Sequence, residues 1–284
     1  MNVLSTKELA SAIGVSESSI KRWADEGTIR CARTAGGHRR IPLAEAIRFV
    51  RDSRAPLVRP ELLGLPGIDA AAARAGDEAE LLRGYLVDGA ESQVRGLVQG
   101  MYLRGFSVAA IIDGPMRRAM EHVGELWHRD PGGIFFEHRA TDLCIQALNA
   151  LRALLPANEE GPVALGGAVA GDPYLLPSLA AATALHGAHF RAVNLGPDVP
   201  FGCLAEAVDR LRPALVWLTV SIAVDASAFA QELERFAQPQ RGIQVIVGGQ
   251  GLDAMSVPAT ETVHYGRSMG ELVAFASGLR LGAT

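Results

Sequence analysis

The sequence predicts a multidomain chain of α and α/β class: a small helix-and-hairpin domain, a bundle of four helices, then a doubly wound parallel sheet. Three observations predict it. Cations collect at the N-terminal end, with 11 Lys/Arg against 6 Asp/Glu over residues 1–59 and 16 against 25 over the rest. From residue 77 to 155 the apolar spacing is helical throughout. From residue 162 onward, short runs rich in strand formers alternate with helical segments, the pattern of a parallel sheet with crossover helices. A chain of 284 residues exceeds one ordinary domain. The expected boundaries are 1–54, a linker over 55–76, a bundle over 77–155 and the sheet domain over 156–284.

Composition removes several function classes. Cys31, Cys144 and Cys203 are few and far apart, so neither a disulfide framework nor a Cys-x-x-Cys zinc site is supported. The start, MNVLSTKELA, lacks a signal-peptide pattern, and the most apolar run, Ala214 to Val224, is too short to span a bilayer. The expected location is the cytoplasm, with no membrane partner. Paired acids, a nucleophile beside a base and a metal-hydrolase motif are all absent, so the expectation is a protein that is not an enzyme.

Ser5-Thr6-Lys7-Glu8 is a capping box, Leu9 and Ile13 share one helical face, and Gly14 closes the first helix. Ser16 caps a second helix whose inner stripe is Ile20 and Trp23, with Lys21 and Arg22 pointing outward. After Gly27, TIRCARTAGGHRRIP reads as two extended pieces around Gly36-Gly37, followed by His38, Arg39 and Arg40. Leu43 to Arg54 is a further amphipathic helix. Together these elements describe a winged helix-turn-helix, a DNA-binding domain. The segment resembles the MerR-type regulators over about the first fifth of the chain, because helix-turn-helix and GGHRR wing occur together. That resemblance implies Lys21 and Arg22 in the major groove and His38, Arg39 and Arg40 on flanking phosphates. It also implies a homo-oligomer, a dimer or larger, on an inverted repeat in double-stranded DNA. For Arg30 and Arg33 a solvated surface position is expected.

Pro56, Pro60, Gly64, Pro66 and Gly67 break periodicity, which predicts a stiff linker and no buried element. Four helices follow. Leu81, Leu82, Tyr85 and Leu86 begin the first, and Val94, Leu97, Val98 and Met101 mark the second. A third, beyond the Asp113-Gly114-Pro115 break, carries Met116, Met120, Val123 and Trp127, and the last carries Leu143, Ala147, Leu151 and Leu154. The stretch GELWHRDPGGIFFEHRA, Gly124 to Ala140, sets Trp127 and His128 on one helix and Glu137-His138 beyond the Gly132-Gly133 break. A large ring, two imidazoles and a carboxylate without zinc spacings suit a broad, flat, metal-centred ligand.

In the last domain, strands are expected at Val163–Val169, Phe190–Leu195, Leu215–Val220, Gln244–Val247 and Val263–Tyr265, with helices at Ser178–His186, Phe201–Leu211, Asp225–Phe236 and Ser268–Leu279. No GxGxxG or phosphate-loop motif occurs. Ligands are expected at the carboxyl ends of these strands. Trp-x9-Glu-His, preceded by Val-Gly-Glu-Leu, resembles the helical cap of cobalamin-binding regulators, such as the photoreceptor repressors of carotenoid genes. The loop LGPDVP after the second strand, Ser221 after the third and Gly248-Gly249 after the fourth are similar to their cobalamin-type Rossmann domain.

That resemblance implies adenosylcobalamin or a related corrinoid, with Trp127 over the upper face of the corrin. Ile134, Phe135 and Phe136 stand beside it, and Glu137 and His138 belong to the same site. His128 takes the position from which the family's His reaches cobalt after photolysis. Ser221, Gly248 and Gly249 would line the slot for the nucleotide tail. One departure stands out: where the family has Asp-x-His-x-x-Gly, with its His on cobalt, this chain has Asp172-Pro173-Tyr174-Leu175-Leu176-Pro177. Asp172 is kept, Tyr174 replaces the His and Pro177 replaces the Gly. Phenol is a poor cobalt ligand because its proton leaves only near pH 10, whereas phenolate does ligate ferric haem. The candidate metal ligand is therefore His128 or Tyr174. The expectation is a ligand- or light-responsive regulator sensing a corrinoid without the usual lower His, with haem, a bilin or no ligand as alternatives.

Overall fold

The computed structural model describes residues 3–68, 77–127, 133–237, 243–252 and 259–281. The chain forms two compact units, one comprising residues 1–107 with 114–155 and the other residues 108–113 with 156–284.

The first unit begins with β1 (Val3–Ser5), α1 (Thr6–Ile13) and α2 (Glu17–Asp25). The wing is β2 (Ala32–Arg33) and β3 (Arg39–Pro42), and α3 (Leu43–Ser53) follows at once. The capping box forms as read: Glu8 N–H donates to Ser5 Oγ at 3.2 Å and Ser5 N–H to Glu8 Oε2 at 2.7 Å. Gly14, at φ 72°, closes α1 in the left-handed conformation, and Ser16 caps α2. A strand not anticipated from the sequence, β1, pairs antiparallel with β3 (Leu4 opposite Ile41), giving a three-stranded sheet in the order β1-β3-β2. Leu9, Ile13, Ile20, Ile41, Ile47 and Val50 bury together, and Trp23 packs its ring on Phe49 at 5.2 Å.

The linker departs from its expectation. Val58 and Arg59 donate their N–H groups to Ala12 O at 2.8 and 3.0 Å, and a short 3₁₀ turn, Pro60–Leu63, packs on α1 and α3. Leu63 and Leu65 are buried. Proline and glycine spacing marks where a helix cannot run, but the leucines between them carry enough apolar surface to dock the segment. Downstream, Gly67 O lies so close to Gly96 that a Cβ there would overlap it.

The bundle is α4 (Glu78–Asp88), α5 (Glu91–Leu103), α7 (Arg117–Trp127) and α8 (Gly133–Arg152), with α5 and α7 packed on α8 and α4 on α5 and α7. Cys144 lies inside it, and burial pushes its thiol up to about 12, so it is no nucleophile at neutral pH. Arg51 of α3 joins the helix-turn-helix to the bundle: its guanidinium sits 4.0 Å over the Tyr102 ring and donates to Tyr102 O and, at 2.9 Å, to Phe106 O. The expected break before the third bundle helix is instead a wide turn. Helix α6 (Val108–Ile111) runs through a π segment, Ile112–Met116, straight into α7. Pro115 lies within that segment. The wider turn takes up the lost N–H and the clash that a proline ring brings to an α-helix.

The second unit is a five-stranded parallel sheet in the order β5-β4-β6-β7-β8. Its strands are β4 (Val163–Ala168), β5 (Arg191–Asn194), β6 (Leu215–Thr219), β7 (Gln244–Gly248) and β8 (Val263–Gly266). Its helices are α9 (Leu175–Gly187), α10 (Phe201–Leu211), α11 (Ala226–Phe236) and α12 (Met269–Leu281). Each agrees with its expectation to within a few residues. Strands buried on both faces read as unbroken apolar runs, and β6, Leu-Val-Trp-Leu-Thr, is buried at every position. One face packs Phe229, Leu233 and Phe236 with Leu204 and Val208; the other packs Trp217, Ala181, Leu185 and Leu272. Within this unit α6 lies on α9 and α12, and both carboxylate oxygens of Asp113 accept from α12, Met269 N and Gly270 N, at 2.8 Å.

Two glycines in the bundle make opposite demands. Gly84 of α4 has nothing within 4 Å of where a Cβ would sit among the described residues, whereas Gly96 of α5 faces the Gly67 carbonyl. Gly84→Ala should raise stability by about 0.5–1 kcal/mol through helix propensity. Gly96→Ala gains the same propensity but should lower stability by about 1–3 kcal/mol through overpacking. Urea midpoints of the two variants check this, and equal shifts would refute the docked position of residues 67–68.

Candidate functional site

The cations of the helix-turn-helix divide by geometry. Lys21 and Arg22 are exposed on α2, held only by intrahelical pairs to Glu17 (2.9 Å) and Glu26 (3.9 Å). Surface pairs of this kind contribute about 0–1 kcal/mol and exchange readily for phosphate. At the wing tip, Gly37 N–H donates to Thr34 O (2.8 Å) and Thr34 N–H to His38 O (2.9 Å), and Gly37 takes φ 77°. The turn leaves His38 exposed. Arg40 is also exposed and makes no ion pair among the described residues.

Arg39 differs. Its side chain is 17% exposed, and its Nη2 donates to both carboxylate oxygens of Asp25, at 2.6 and 2.8 Å. The expectation that Arg39 offers its charge to phosphate therefore meets a side chain already engaged within the domain. Strand alternation carried the signal: Ile41 is core, so Arg39 two residues earlier lies on the same face and Arg40 on the other. Of the two cations expected to be merely solvated, Arg30 pairs with Glu45 (3.2 Å) and Arg33 with Asp25 (3.1 Å). Glu45 is buried, which opposes its charge, yet the Arg48 guanidinium and the Arg30 N–H hold its carboxyl below the usual carboxylate range.

On the bundle, α7 ends at Trp127 and α8 begins at Gly133. His128 and the Trp127 side chain lie outside the described residues. Ile134 and Phe135 are exposed, and Phe135 meets Phe136 edge-on at 5.5 Å. Arg139, which the sequence reading missed, stacks on both rings at 4.8 and 5.4 Å while donating to Val87 O at the end of α4. It thereby holds the aromatic pair in place. Glu137 is half-buried and accepts from Thr141 Oγ1 (3.4 Å); His138 is exposed, 3.6 Å from the Glu137 carboxylate.

In the second unit the remaining candidates meet at the carboxyl ends of β4, β6 and β7. Asp172 is fully buried, and its two oxygens accept from Ser221 N–H (2.6 Å) and Tyr174 N–H (3.1 Å). It thus ties the loop after β4 to the loop after β6, across the point where the strand order reverses. From the loop after β5, Asp198 accepts from Gly171 N–H at 2.7 Å and donates its own N–H to Asp172 O at 2.9 Å. Tyr174 holds the N-cap position of α9 without a side-chain capping hydrogen bond, and the residue is 47% exposed. Pro177 sits in the first turn of α9, which begins earlier than the Ser178 expected from the sequence.

Gly248 and Gly249 are required by the chain itself. A Cβ on Gly249 would overlap Val220 O, and one on Gly248 would come within 2.8 Å of Gly266 O. Beside them, Thr219 Oγ1, Ser221 Oγ and Tyr265 OH are buried without a hydrogen-bond partner among the described residues. By strand alternation Thr219 lies with Trp217 on one face of the sheet, while Tyr265 packs with Val247 on the other. Of the three, only Ser221 Oγ, just beyond the carboxyl end of β6, offers polar capacity that a ligand could use. Among the described residues no group of three or more His, Cys, Asp or Glu could hold a metal ion, and no helix is long and apolar enough to cross a membrane.

Comparison with known proteins assigns families to two segments. Residues 3–53 match the helix-turn-helix domain family, and residues 78–152 match the family described as B12 binding domain. No curated protein matches the chain. Among solved structures, the chain is similar to the monomethylamine corrinoid protein of Methanosarcina barkeri, with 17% identity and a TM-score of 0.52 over 70% of this chain and 96% of that one. A cobalamin-binding protein from Desulfitobacterium hafniense is 18% identical, covering 71% of this chain and 98% of that one, with a TM-score of 0.35. The methanol:cobalamin methyltransferase complex of Methanosarcina barkeri is 17% identical, covering 73% and 81%, with a TM-score of 0.36. Sequence and fold together describe a segment matching the helix-turn-helix family, a helical segment matching the B12 binding domain family, and a Rossmann-like parallel sheet.

Proposed function

We propose that this chain is a MerR-like transcription regulator, not an enzyme, that binds inverted-repeat DNA as a dimer or larger homo-oligomer and senses a corrinoid or light through it. The observation that carries the reading is a helix-turn-helix segment with exposed cations on the same chain as a segment matching the B12 binding domain family. Lys21 and Arg22 are free to meet base edges, and Arg40 and His38 to meet phosphates. For the corrinoid, the orphaned Ser221 hydroxyl beyond the carboxyl end of β6 supports a place for a nucleotide tail. Trp127, Ile134, Glu137 and His138 belong to the cap's share of the site, with His128 as the candidate upper ligand to cobalt.

Where the family that this chain resembles has its cobalt-ligating His, this loop has Tyr174, and the Asp172 carboxylate accepts from two backbone amides. That feature supports a corrinoid held without a lower protein His. It also favours a second reading, a regulator whose sensor domains bind no cofactor and act through protein contacts. A haem on Tyr174 is the further alternative that its exposed phenol allows.

Two measurements test the reading. On duplex DNA, Arg40→Ala should weaken binding to all sequences and reduce the salt slope by about one unit. Lys21→Ala should cost about 1–3 kcal/mol of discrimination between operator and random duplex. Wild-type protein that binds no duplex would sink the regulator.

For the sensor, the purified chain is mixed with adenosylcobalamin, hydroxocobalamin or hemin and passed through gel filtration, in darkness and after illumination. Retained cobalamin with a spectrum unlike that of a His-ligated species is expected, and Tyr174→His with Pro177→Gly should move it towards one. Trp127→Ala should lose the cobalamin with its helical circular dichroism intact. No uptake, with DNA binding indifferent to cobalamin and light, would leave the cofactor-free regulator.

A further inference from the structure

Arg39 lies where the wing and the end of α2 come together, and its environment differs from that of every other cation on the wing. It shares the inward face of β3 with the buried Ile41, and its register partner across the hairpin is Arg33. Both arginines reach one carboxylate, that of Asp25, Arg39 at 2.6 Å and Arg33 at 3.1 Å. Asp25 is the last residue of α2, four positions after Lys21 and three after Arg22, so it stands on the helix face those two cations share. The pair therefore links the wing to the helix face that carries the exposed cations.

Strand β3 is anchored by its pairing with β1 and by the buried Ile41, whereas the outer part of the wing has less to hold it. Strand β2 has two residues, both exposed, and pairs with β3 only at Ala32–Arg40 and Arg33–Arg39. The tip from Thr34 to His38 is exposed throughout, and Ile41 is the only buried residue of the hairpin strands. Outward of Ile41, the wing meets the end of α2 through the Asp25 carboxylate, which takes both Arg39 and Arg33.

We propose that Arg39 is a positioning residue: through Asp25 it fixes the wing against α2, so that Arg40 and His38 meet phosphate in register with Lys21 and Arg22. This rests on the DNA-binding reading above. The pair has a second consequence, since an unpaired Asp25 carboxylate on this face would repel phosphate. The Arg39 guanidinium, bonded to that carboxylate, holds it below its usual range, so it stays charged and paired at all moderately acidic and neutral pH values. The pair is half-buried on the Arg39 side and exposed at Asp25, and it is one contact beside the buried core of the domain, so its removal should leave the domain folded and change the wing's aim.

The test uses the full chain and the tightest 30-base-pair duplex, a length of about three helical turns, recovered by wild-type protein from a random library. Dissociation constants are measured across a salt series for wild type, Arg40→Ala, Arg39→Ala, Asp25→Asn and the Arg39→Ala/Asp25→Asn double variant. Arg40→Ala should lose about one unit of salt slope, as a phosphate contact does. Arg39→Ala should lose at least about tenfold in affinity for the selected duplex with its slope retained, narrowing the gap to random duplex. Asp25→Asn should weaken binding likewise, although it removes a negative charge, and the double variant should be no worse than either single one.

Arg39→Ala that loses a slope unit as Arg40→Ala does, or Asp25→Asn that tightens binding, would make Arg39 an ordinary phosphate contact and overturn the proposal. So would loss of the wild-type circular dichroism in both single variants, which would assign the pair to folding alone. Wild type that binds no duplex, or Arg40→Ala that binds like wild type, would instead strike at the DNA-binding reading itself.

Discussion

Backbone groups left open where helices and strands end must find partners, and in this protein long charged side chains from distant positions supply them. Asp172 closes the amides of Ser221 and Tyr174, Asp198 that of Gly171, and Asp113 those of Met269 and Gly270. Glu45 takes the Arg30 amide. Arg51 and Arg139 do the converse, capping the carbonyls at the ends of α5 and α4. Charged hydrogen bonds to backbone are worth about 1.5–3 kcal/mol each, roughly twice a neutral one, so a few of them decide where loops lie. At the carboxyl ends of β4 and β6, one such carboxylate, Asp172, holds two loops together.

The first unit shows how steric allowance joins elements that the sequence separates. Residues 55–68 dock on α1 and α3 through Leu63 and Leu65, then reach α5 where Gly96 admits the Gly67 carbonyl. Arg51 adds a guanidinium stacked on Tyr102. The helix-turn-helix is thus joined to α5 by packed contacts as well as by the chain itself. The π segment at Ile112–Met116 is the other special geometry: it gives the helix holding Trp127 an extra residue per turn at Pro115.

Much of the candidate site was legible in the residues. Lys21, Arg22, His38 and Arg40 are exposed as the amphipathic pattern implies, because outward positions on a helix or hairpin follow from period alone. Asp172 and Ser221 come together because both end strands that neighbour one another, and that neighbourhood follows from parallel topology. Arg39 was legible only in part. Its face could be read from Ile41, but its partner Asp25 lies fourteen residues away on another element. Gly248 and Gly249 were read as room for a ligand, whereas the atoms nearest to them are the chain's own Gly266 and Val220 carbonyls. A glycine in a sequence announces a close approach without saying what approaches.

Sequence by itself determined the class and order of the elements. Capping boxes, helical periodicity and apolar runs are local signals, set by hydrogen bonds and burial within a few residues, and they placed α1, α10 and the five parallel strands nearly to the residue. Tertiary structure alone decided which charges are free and which are consumed, that β1 joins the wing, that the linker is docked, and that the turn at Pro115 is wound rather than broken. Those outcomes rest on contacts between residues far apart in the chain, where a carboxylate, a guanidinium or a missing Cβ matters only for what the fold brings beside it.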